Sequence, residues 1–161
     1  MPQLAVGETA PDFQLPAVTR SGETEISLAD GAGKSVVLYF YPKDDTPGCT
    51  TQACGFRDLL PEFEAAGGVI WGVSPDTLAA HTRFAENHAL PFPLLADPDH
   101  TVSEAYGAWK EKTNYGKTYW GIERTTFVIG TDGKIGKIYP RVKVDAHAQK
   151  VLDFVRGLGQ P

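Results

Sequence analysis

The chain has 161 residues, a formal net charge of −5 and only two cysteines. This length fits a single domain over residues 1–161, with a core large enough to fold without disulfides. The acidic balance argues against nucleic acid as a partner, and no apolar run approaches the ~18 residues of a membrane span. No basic stretch followed by an apolar segment opens the chain, so we identify no signal peptide and expect a cytoplasmic protein.

The first half of the chain alternates predicted strands with a predicted helix. Two short strand candidates, Phe13–Leu15 and Glu25–Leu28, would form an N-terminal hairpin extension. The continuous apolar run Val36–Tyr41 is typical of a strand that is covered on both faces. Apolar residues then recur at helical spacing from Ala53 to Ala66, and Gly67 with Gly68 ends that helix.

The second half continues the alternation and ends in a helix. Val69–Val73 is a second buried strand, and Ser74–Asp76 is predicted to open a helix with a capping residue followed by proline. Thr126–Ile129 and Lys134–Tyr139 flank a turn signal and predict a β-hairpin. Asp145 is expected to begin the final amphipathic helix. Because strand–helix–strand units favour parallel crossovers, the pattern predicts an α/β fold with a mixed central sheet flanked by helices.

Cys49 lies where a predicted strand passes through a short polar loop into a helix. Thr46 and Pro47 fit the N-cap and first helical positions, which places Cys49 in the first helical turn. Unpaired backbone N–H groups and the helix macrodipole favour a thiolate there. Cysteine is also often buried as an inert small residue, and that structural role stays open for Cys54, which lies in a partly apolar stretch.

Other kinds of site fit the sequence less well. The spacings of the two cysteines and four histidines match no zinc finger or ribbon. A Cys–His hydrolase would need a histidine beside Cys49, whereas His81 and His88 are expected on the solvated face of a helix. The cysteines lack the two-residue separation of a thioredoxin-type oxidoreductase, and the glycine-rich stretches are interpreted as turns. We therefore expect neither a metal nor an organic cofactor.

The segment Tyr41–Cys49 resembles the active-site signature of the peroxiredoxins, in which a proline, a threonine and the reactive cysteine have this spacing. The continuation Thr50–Asp58 is similar to the bacterioferritin-comigratory-protein branch, or Q type, whose second cysteine follows five residues after the first. This resemblance implies a thioredoxin-like fold. It covers essentially the whole chain, through the segments Ala10–Phe13, Phe92–Asp97, Gly116–Tyr119, Gly121–Ile122 and Arg124–Ile129.

The resemblance also implies the reacting groups. Cys49 would attack a peroxide and become a sulfenic acid, and Cys54 would condense with it to an intramolecular disulfide. The attack places charge on both peroxide oxygens, so a cation and fixed donors must lie where that charge develops. Arg124 would supply the cation, and the Thr46 hydroxyl with the Cys49 backbone N–H would complete the site. Without the resemblance, Arg124 could equally form a surface ion pair.

Three further residues are candidates for the rim of this site. Pro42 would shield the sulfur, a role compatible with its ending the preceding strand. Gln52 lies one helical turn after Cys49 and could orient Arg124, although an exposed helical glutamine is common. Tyr41 is a candidate for the substrate pocket or for orienting its neighbours.

The resemblance implies reduction of hydrogen peroxide and organic hydroperoxides, with thioredoxin or a similar dithiol protein as the reductant. We expect a monomer, and a dimer is also compatible with the sequence. Two alternatives stay open: a peroxide-sensing relay that passes its disulfide to a partner protein, and a structural module with inert thiols. Sustained turnover with thioredoxin, thioredoxin reductase and NADPH would distinguish the peroxidase from the relay.

The spacing of the cysteines predicts a conformational change. On an undistorted helix, five residues separate the two Cα atoms by roughly 8.6 Å, whereas a disulfide needs them within about 7 Å. We therefore expect the segment from about Thr46 to Phe56 to unwind in part before the disulfide forms. Gly55 favours this place because glycine lowers helix stability by about 1 kcal/mol relative to alanine.

Overall fold

The computed structural model describes residues 4–158, apart from the side chain of Asn114. Residues 1–3 and 159–161 of the expected domain lie outside the described residues. The strands are β1 Gln14–Thr19, β2 Gly22–Ser27, β3 Ser35–Phe40, β4 Gly68–Ser74, β5 Leu94–Ala96, β6 Trp109–Asn114, β7 Lys117–Ile122, β8 Thr125–Ile129 and β9 Ile135–Tyr139. The helices are α1 Pro47–Ala65, α2 Leu78–His88, α3 Thr101–Ala105 and α4 His147–Leu158, with a short 3₁₀ turn at Leu28–Gly31.

Seven strands form one mixed sheet in the order β2-β1-β5-β4-β3-β8-β9, and β6 pairs with β7 in a separate hairpin. The central strands β3, β4 and β5 are parallel, as expected for strand–helix–strand crossovers. The remaining pairs are antiparallel, including the predicted hairpin of β8 and β9 and the N-terminal hairpin of β1 and β2. The prediction of an α/β fold with a mixed sheet is confirmed.

The central strand β3 is buried on both faces, which explains its continuous apolar sequence. Successive side chains of a strand point to opposite faces, so β3 contributes to two separate hydrophobic clusters. One cluster lies under α1, α2 and α4, and the other lies under α3 and the β6–β7 hairpin. The cluster under α1, α2 and α4 contains Val37, Tyr39 and, just after the strand, Tyr41. The other cluster contains Val36, Leu38 and Phe40.

The helix α1 follows β3 after a short loop and packs on the sheet beside α4. Thr46 precedes it with extended backbone angles, and Pro47 is its first residue, as predicted. Its apolar face buries Ala53, Phe56 and Phe63 in the cluster shared with α4. The chain leaves the helix at Gly67, whose φ of 80° suits glycine. The sheet and α1 therefore fix the position of the first helical turn and of Cys49.

Two predicted helix starts are wrong. Ser74 is the last residue of β4, and its hydroxyl donates to Asp76 Oδ2 at 2.7 Å, so the chain turns here instead of starting a helix. The helix α2 begins at Leu78, and Thr77 caps it by accepting from the Ala80 N–H at 3.1 Å. The final helix begins at His147 and not at Asp145 because Ala146 has a φ of 58°, which a right-handed helix excludes.

Several elements have no counterpart in the predictions. The strand β5, the short helix α3 and the β6–β7 hairpin lie between Leu94 and Ile122, where the sequence predicted no strand or helix. The β6–β7 hairpin is largely polar and exposed, so it lacks the apolar alternation that identifies a strand. Among the helices of residues 4–158, none has the length and apolar character needed to cross a membrane.

His147, at the start of α4, is buried between two aromatic rings. Its ring meets Phe56 and Tyr139 edge-on, with centroids 5.8 and 5.3 Å away, and its Nε2 lies 2.9 Å from the Thr126 hydroxyl. Burial lowers the pKa of His147 to about 4, and the positive charges of Lys150 and Arg124 act in the same direction. His147 is therefore neutral in the folded protein at pH 7.

We predict that His147 makes the fold acid-sensitive between pH 6.5 and pH 4. The histidine pKa in the unfolded chain is near its ordinary value of 6.5. In this window His147 is therefore protonated in the unfolded chain and neutral in the folded protein. Lowering the pH from 7.5 to 5 should cost roughly 2 kcal/mol of unfolding free energy through this group alone. Urea unfolding at both pH values should show a smaller loss for His147→Gln than for the unaltered protein. His100→Gln is the matched control, and an equal loss in both variants would contradict the prediction.

Candidate active site

The site lies at the end of β3, where the loop of residues 41–46 leads into α1. Thr46 occupies the N-cap position, but its hydroxyl donates to the Lys43 carbonyl at 2.8 Å and does not cap the helix. The backbone N–H groups of the first turn have no partner within the helix. Cys49 lies in this turn, so its sulfur is exposed to the positive end of the helix macrodipole.

Cys49 is buried, with only 1% of its surface exposed, in the cluster between α1 and the sheet. The polar, loop-edge environment that its sequence neighbours suggest is therefore limited to one side of the residue. On that side, Arg124 Nη2 lies 3.3 Å from the Cys49 sulfur. A guanidinium and a helix N-terminus both stabilise a negatively charged sulfur. The arrangement presents one reactive sulfur with a fixed cation beside it.

Arg124 reaches Cys49 because β8 pairs with β3. Thr125 pairs with Phe40, so the residue before β8 lies beside the end of β3. The second guanidinium nitrogen, Nη1, donates to Gln52 Oε1 at 2.7 Å, and the Gln52 side chain is buried. Gln52 is therefore not the exposed helical residue that its position alone allows. The structure brings Cys49, Gln52 and Arg124 together.

Gly48 makes room for the guanidinium. A Cβ atom built at this position would lie 3.1 Å from Arg124 Nη2, which is closer than an ordinary contact. The Gln52 Nε2 atom is buried and has no hydrogen-bond partner among the described residues. The amide thus presents its oxygen to Arg124, and its nitrogen makes no compensating contact.

Tyr41 is held by a contact with the loop. Its ring is fully buried, and its hydroxyl donates to Asp44 Oδ1 at 2.6 Å. Burial holds the pKa of Tyr41 well above its ordinary value, so the phenol stays protonated and can donate. Pro42 follows it and is half-buried. The structure therefore gives Tyr41 a contact inside the loop rather than one in an open pocket.

Cys54 lies on the same helix as Cys49 and is half-buried. Both thiols are free, and α1 continues without a break through both residues. Three residues further on, Arg57 Nη1 donates to the His88 carbonyl at 2.8 Å, which ties α1 to the end of α2. The geometry is that of two separate thiols on one intact helix.

The β6–β7 hairpin carries Lys112, which was not among the predicted site residues. Lys112 is half-buried on this hairpin, and burial lowers its pKa, with the Arg124 charge acting in the same direction and Glu123 and Cys49 opposing it. Tyr119, on the opposite strand, pairs with Lys112, and Tyr119 and Trp120 are exposed. Apolar rings and a second cation thus lie on the hairpin that leads into Arg124.

Histidines on α2 also contact the loop, which the sequence did not predict. His81 Nδ1 lies 2.6 Å from Asp44 Oδ2, and His88 Nε2 lies 3.0 Å from Asp45 Oδ1. The expectation that His81 is solvated is wrong, because its side chain is completely buried. Helical spacing alone could not identify this, since the face of α2 that meets the loop depends on tertiary packing.

Comparison with known proteins agrees with this geometry. A model of the AhpC/TSA family matches residues 6–138. Peroxiredoxin Bcp of Bacillus subtilis is 46% identical over 157 residues, which cover 98% of each chain. A cysteine-to-serine variant of PrxQ from Xylella fastidiosa has a TM-score of 0.90 at 36% identity, covering 99% of this chain and 100% of that chain.

A further solved structure is that of the bacterioferritin comigratory protein of Xanthomonas campestris, which concerns that protein's alkyl peroxide reduction activity. It has a TM-score of 0.86 at 40% identity and covers 92% of each chain. These likenesses confirm the thioredoxin-like fold and the resemblance noted from the sequence. The chain belongs to the AhpC/TSA family and, within it, to the bacterioferritin-comigratory or Q-type peroxiredoxins.

Proposed function

We propose that this peroxiredoxin is a thiol-dependent peroxidase that reduces hydrogen peroxide and organic hydroperoxides at Cys49. The observation that carries the proposal is the 3.3 Å contact between Arg124 Nη2 and the Cys49 sulfur at the start of α1. A structural module with inert thiols has no need of a buried cysteine beside a guanidinium.

The first step is attack by the Cys49 thiolate on one peroxide oxygen. An S–O bond forms as the O–O bond breaks, and the leaving alkoxide or hydroxide takes a proton from water. Arg124 is the group proposed to stabilise the charge that develops on the two oxygens. The Thr46 hydroxyl donates its proton to the Lys43 carbonyl, so its oxygen is proposed to accept from the peroxide O–H and orient it. Gln52 holds Arg124, and Pro42 limits the access of water to the sulfur.

The second step joins the two cysteines. The Cys54 thiol condenses with the Cys49 sulfenic acid, releasing water and forming a disulfide. A dithiol protein such as thioredoxin then reduces the disulfide and is itself oxidised. The proposal includes a cytoplasmic location and a monomeric state. Neither haem, flavin nor metal takes part in it.

We predict different outcomes for the two thiols. Cys49→Ser should lose all peroxide consumption, because Cys49 is the cysteine that the Arg124 guanidinium contacts. Cys54→Ser should consume about one equivalent, stop as the sulfenic acid and then reach the sulfinic acid under excess peroxide. Mass spectrometry after one equivalent, together with the NADPH-coupled assay, measures both. Oxygen addition at Cys54 in Cys49→Ser at the native rate would reverse the assignment.

A second prediction concerns Arg124. Replacement by lysine keeps the charge but removes the planar fork that contacts both Cys49 and Gln52. The single-turnover rate with peroxide should fall at least tenfold, which is about 1.4 kcal/mol of barrier, while thermal stability changes little. Arg156→Lys, on the exposed face of α4, is the matched control. An unchanged rate for Arg124→Lys would remove Arg124 from the site.

A third prediction follows from the unbroken helix. Because α1 is continuous through both cysteines, a disulfide between them requires the first two turns to open. Amide exchange should show protection of residues 50–56, beginning with the Thr50 N–H that donates to the Thr46 carbonyl, in the reduced protein and its loss after oxidation, while β3 stays protected. The contact of Arg57 with the His88 carbonyl should limit the unwinding to residues before it. An oxidised protein whose first two turns keep their protection would refute the required opening.

A further inference from the structure

A buried chain of hydrogen bonds lies under the loop that joins β3 to α1. The Asp44 carboxylate accepts from the Tyr41 hydroxyl through Oδ1 and contacts His81 Nδ1 through Oδ2, each at 2.6 Å. His81 Nε2 lies 2.9 Å from the carbonyl of Leu95 in β5. The loop is thus connected to α2 and, through His81, to β5, which lies two strands away from β3 in the sheet.

The protons on the His81 ring follow from its partners. A carbonyl oxygen can only accept, so His81 Nε2 carries a hydrogen and donates it to Leu95. The 2.6 Å contact between Nδ1 and the Asp44 carboxyl then holds one shared proton. Both ring nitrogens and both carboxyl oxygens are therefore engaged, and the ring is completely buried. A side chain held in this way has one orientation.

The loop needs such support because its backbone is unusual. Asp45 has a φ of 61°, in the left-handed region that residues with a side chain rarely adopt. Asp44, immediately before it, also donates its backbone N–H to Asp76 Oδ2 at 2.8 Å. Thr46, immediately after it, is the residue proposed to contact the peroxide. The position of Asp44 therefore determines where the loop delivers Thr46.

A metal ion is a poor occupant of this cluster. Ligand atoms of Asp44, Asp76 and His81 lie within 4.8 Å of one another, which is close enough for a cation. However, Asp76 Oδ2 already accepts from the Ser74 hydroxyl and from the Asp44 N–H. The donors of His81 and the oxygens of Asp44 are engaged as well. A cation would have to displace this complete set of hydrogen bonds.

We propose that His81 is a positioning residue for the peroxidase reaction, and that its contact with Asp44 holds the loop so that Thr46 meets the peroxide at the Cys49 sulfur. The proposal rests on the proposed function. In this arrangement His81 touches neither substrate nor sulfur. Its effect is on the geometry of the attack on peroxide, whereas the helix N-terminus and Arg124 determine the general reactivity of the thiolate.

Two substitutions of His81 separate its two contacts. Asparagine carries an N–H₂ one bond beyond Cγ, where histidine has Nδ1, so His81→Asn keeps a donor toward Asp44. Glutamine carries its N–H₂ one bond further out, where histidine has Nε2, so His81→Gln keeps the donor toward Leu95 and loses Asp44. Both variants replace the buried imidazole ring by an open-chain amide. Both should therefore lower the midpoint temperature of unfolding to a similar extent.

The test measures two rates for Cys49 in each variant: single-turnover oxidation by hydrogen peroxide, and alkylation by iodoacetamide. We expect His81→Gln to slow peroxide oxidation at least tenfold and His81→Asn to stay within threefold of the native rate. Alkylation should change less than threefold in both, because it does not use Thr46. His100→Gln, on the other side of the sheet, is the control for histidine loss.

The outcomes distinguish a failure of the proposed peroxidase function from a failure of the positioning role of His81. An unaltered protein that does not react with peroxide would refute the proposed function itself. A reactive protein whose two His81 variants are equally slow, or both native, would overturn the positioning role alone. Faster alkylation of His81→Gln, together with its slower oxidation, would show that the site had opened and would also overturn it. Should His81→Gln not fold, Asp44→Ala removes the same contact from the other side, and a native oxidation rate there would overturn the proposal.

Discussion

The contact between Arg124 and the Cys49 sulfur is the constraint on which the rest of the site depends. The two residues are 75 positions apart in the chain, and they meet because β8 pairs with β3 in the register Phe40 to Thr125. A shift of this register by one residue would turn the side chains of β8 to the opposite face of the sheet. The pairing of β3 with β8 in the central sheet therefore also positions the Arg124 guanidinium beside Cys49.

The proposed reaction places two opposing requirements on one helix. An intact α1 favours the Cys49 thiolate through the N–H groups of its first turn. The same helix keeps Cys54 about 8.6 Å away between Cα atoms, too far for a disulfide. If the helix stayed intact, the proposed disulfide could not form, and the reaction would stop after one oxidation of Cys49. Gly55 lowers the helix propensity of the segment that contains both cysteines, while Arg57 ties α1 to the end of α2 just beyond it.

The parts of the fold that the sequence indicated are those with local causes. The apolar run of β3, the Thr46-Pro47 start of α1 and the turn between β8 and β9 each depend on neighbouring residues. The predicted starts of α2 and α4 are wrong for different reasons. Ser74 is the last residue of β4, and Ala146 has left-handed backbone angles that a right-handed helix cannot include. The burial of His81 depends on which face of α2 meets the loop, and no local pattern encodes that.

The chemistry of the site can also be divided into a part with local causes and a part that depends on contacts between distant residues. The local part of the site, a cysteine at a helix N-terminus, favours reaction with many electrophiles because it only stabilises a thiolate. The distant part is Arg124 together with the loop that His81 is proposed to hold. In the proposed reaction this part acts on the peroxide oxygens during the attack. Preference for peroxides over other electrophiles should therefore come from the long-range contacts. Arg124 was identified through family resemblance and His81 only through the structure, since neither has a partner near it in the chain.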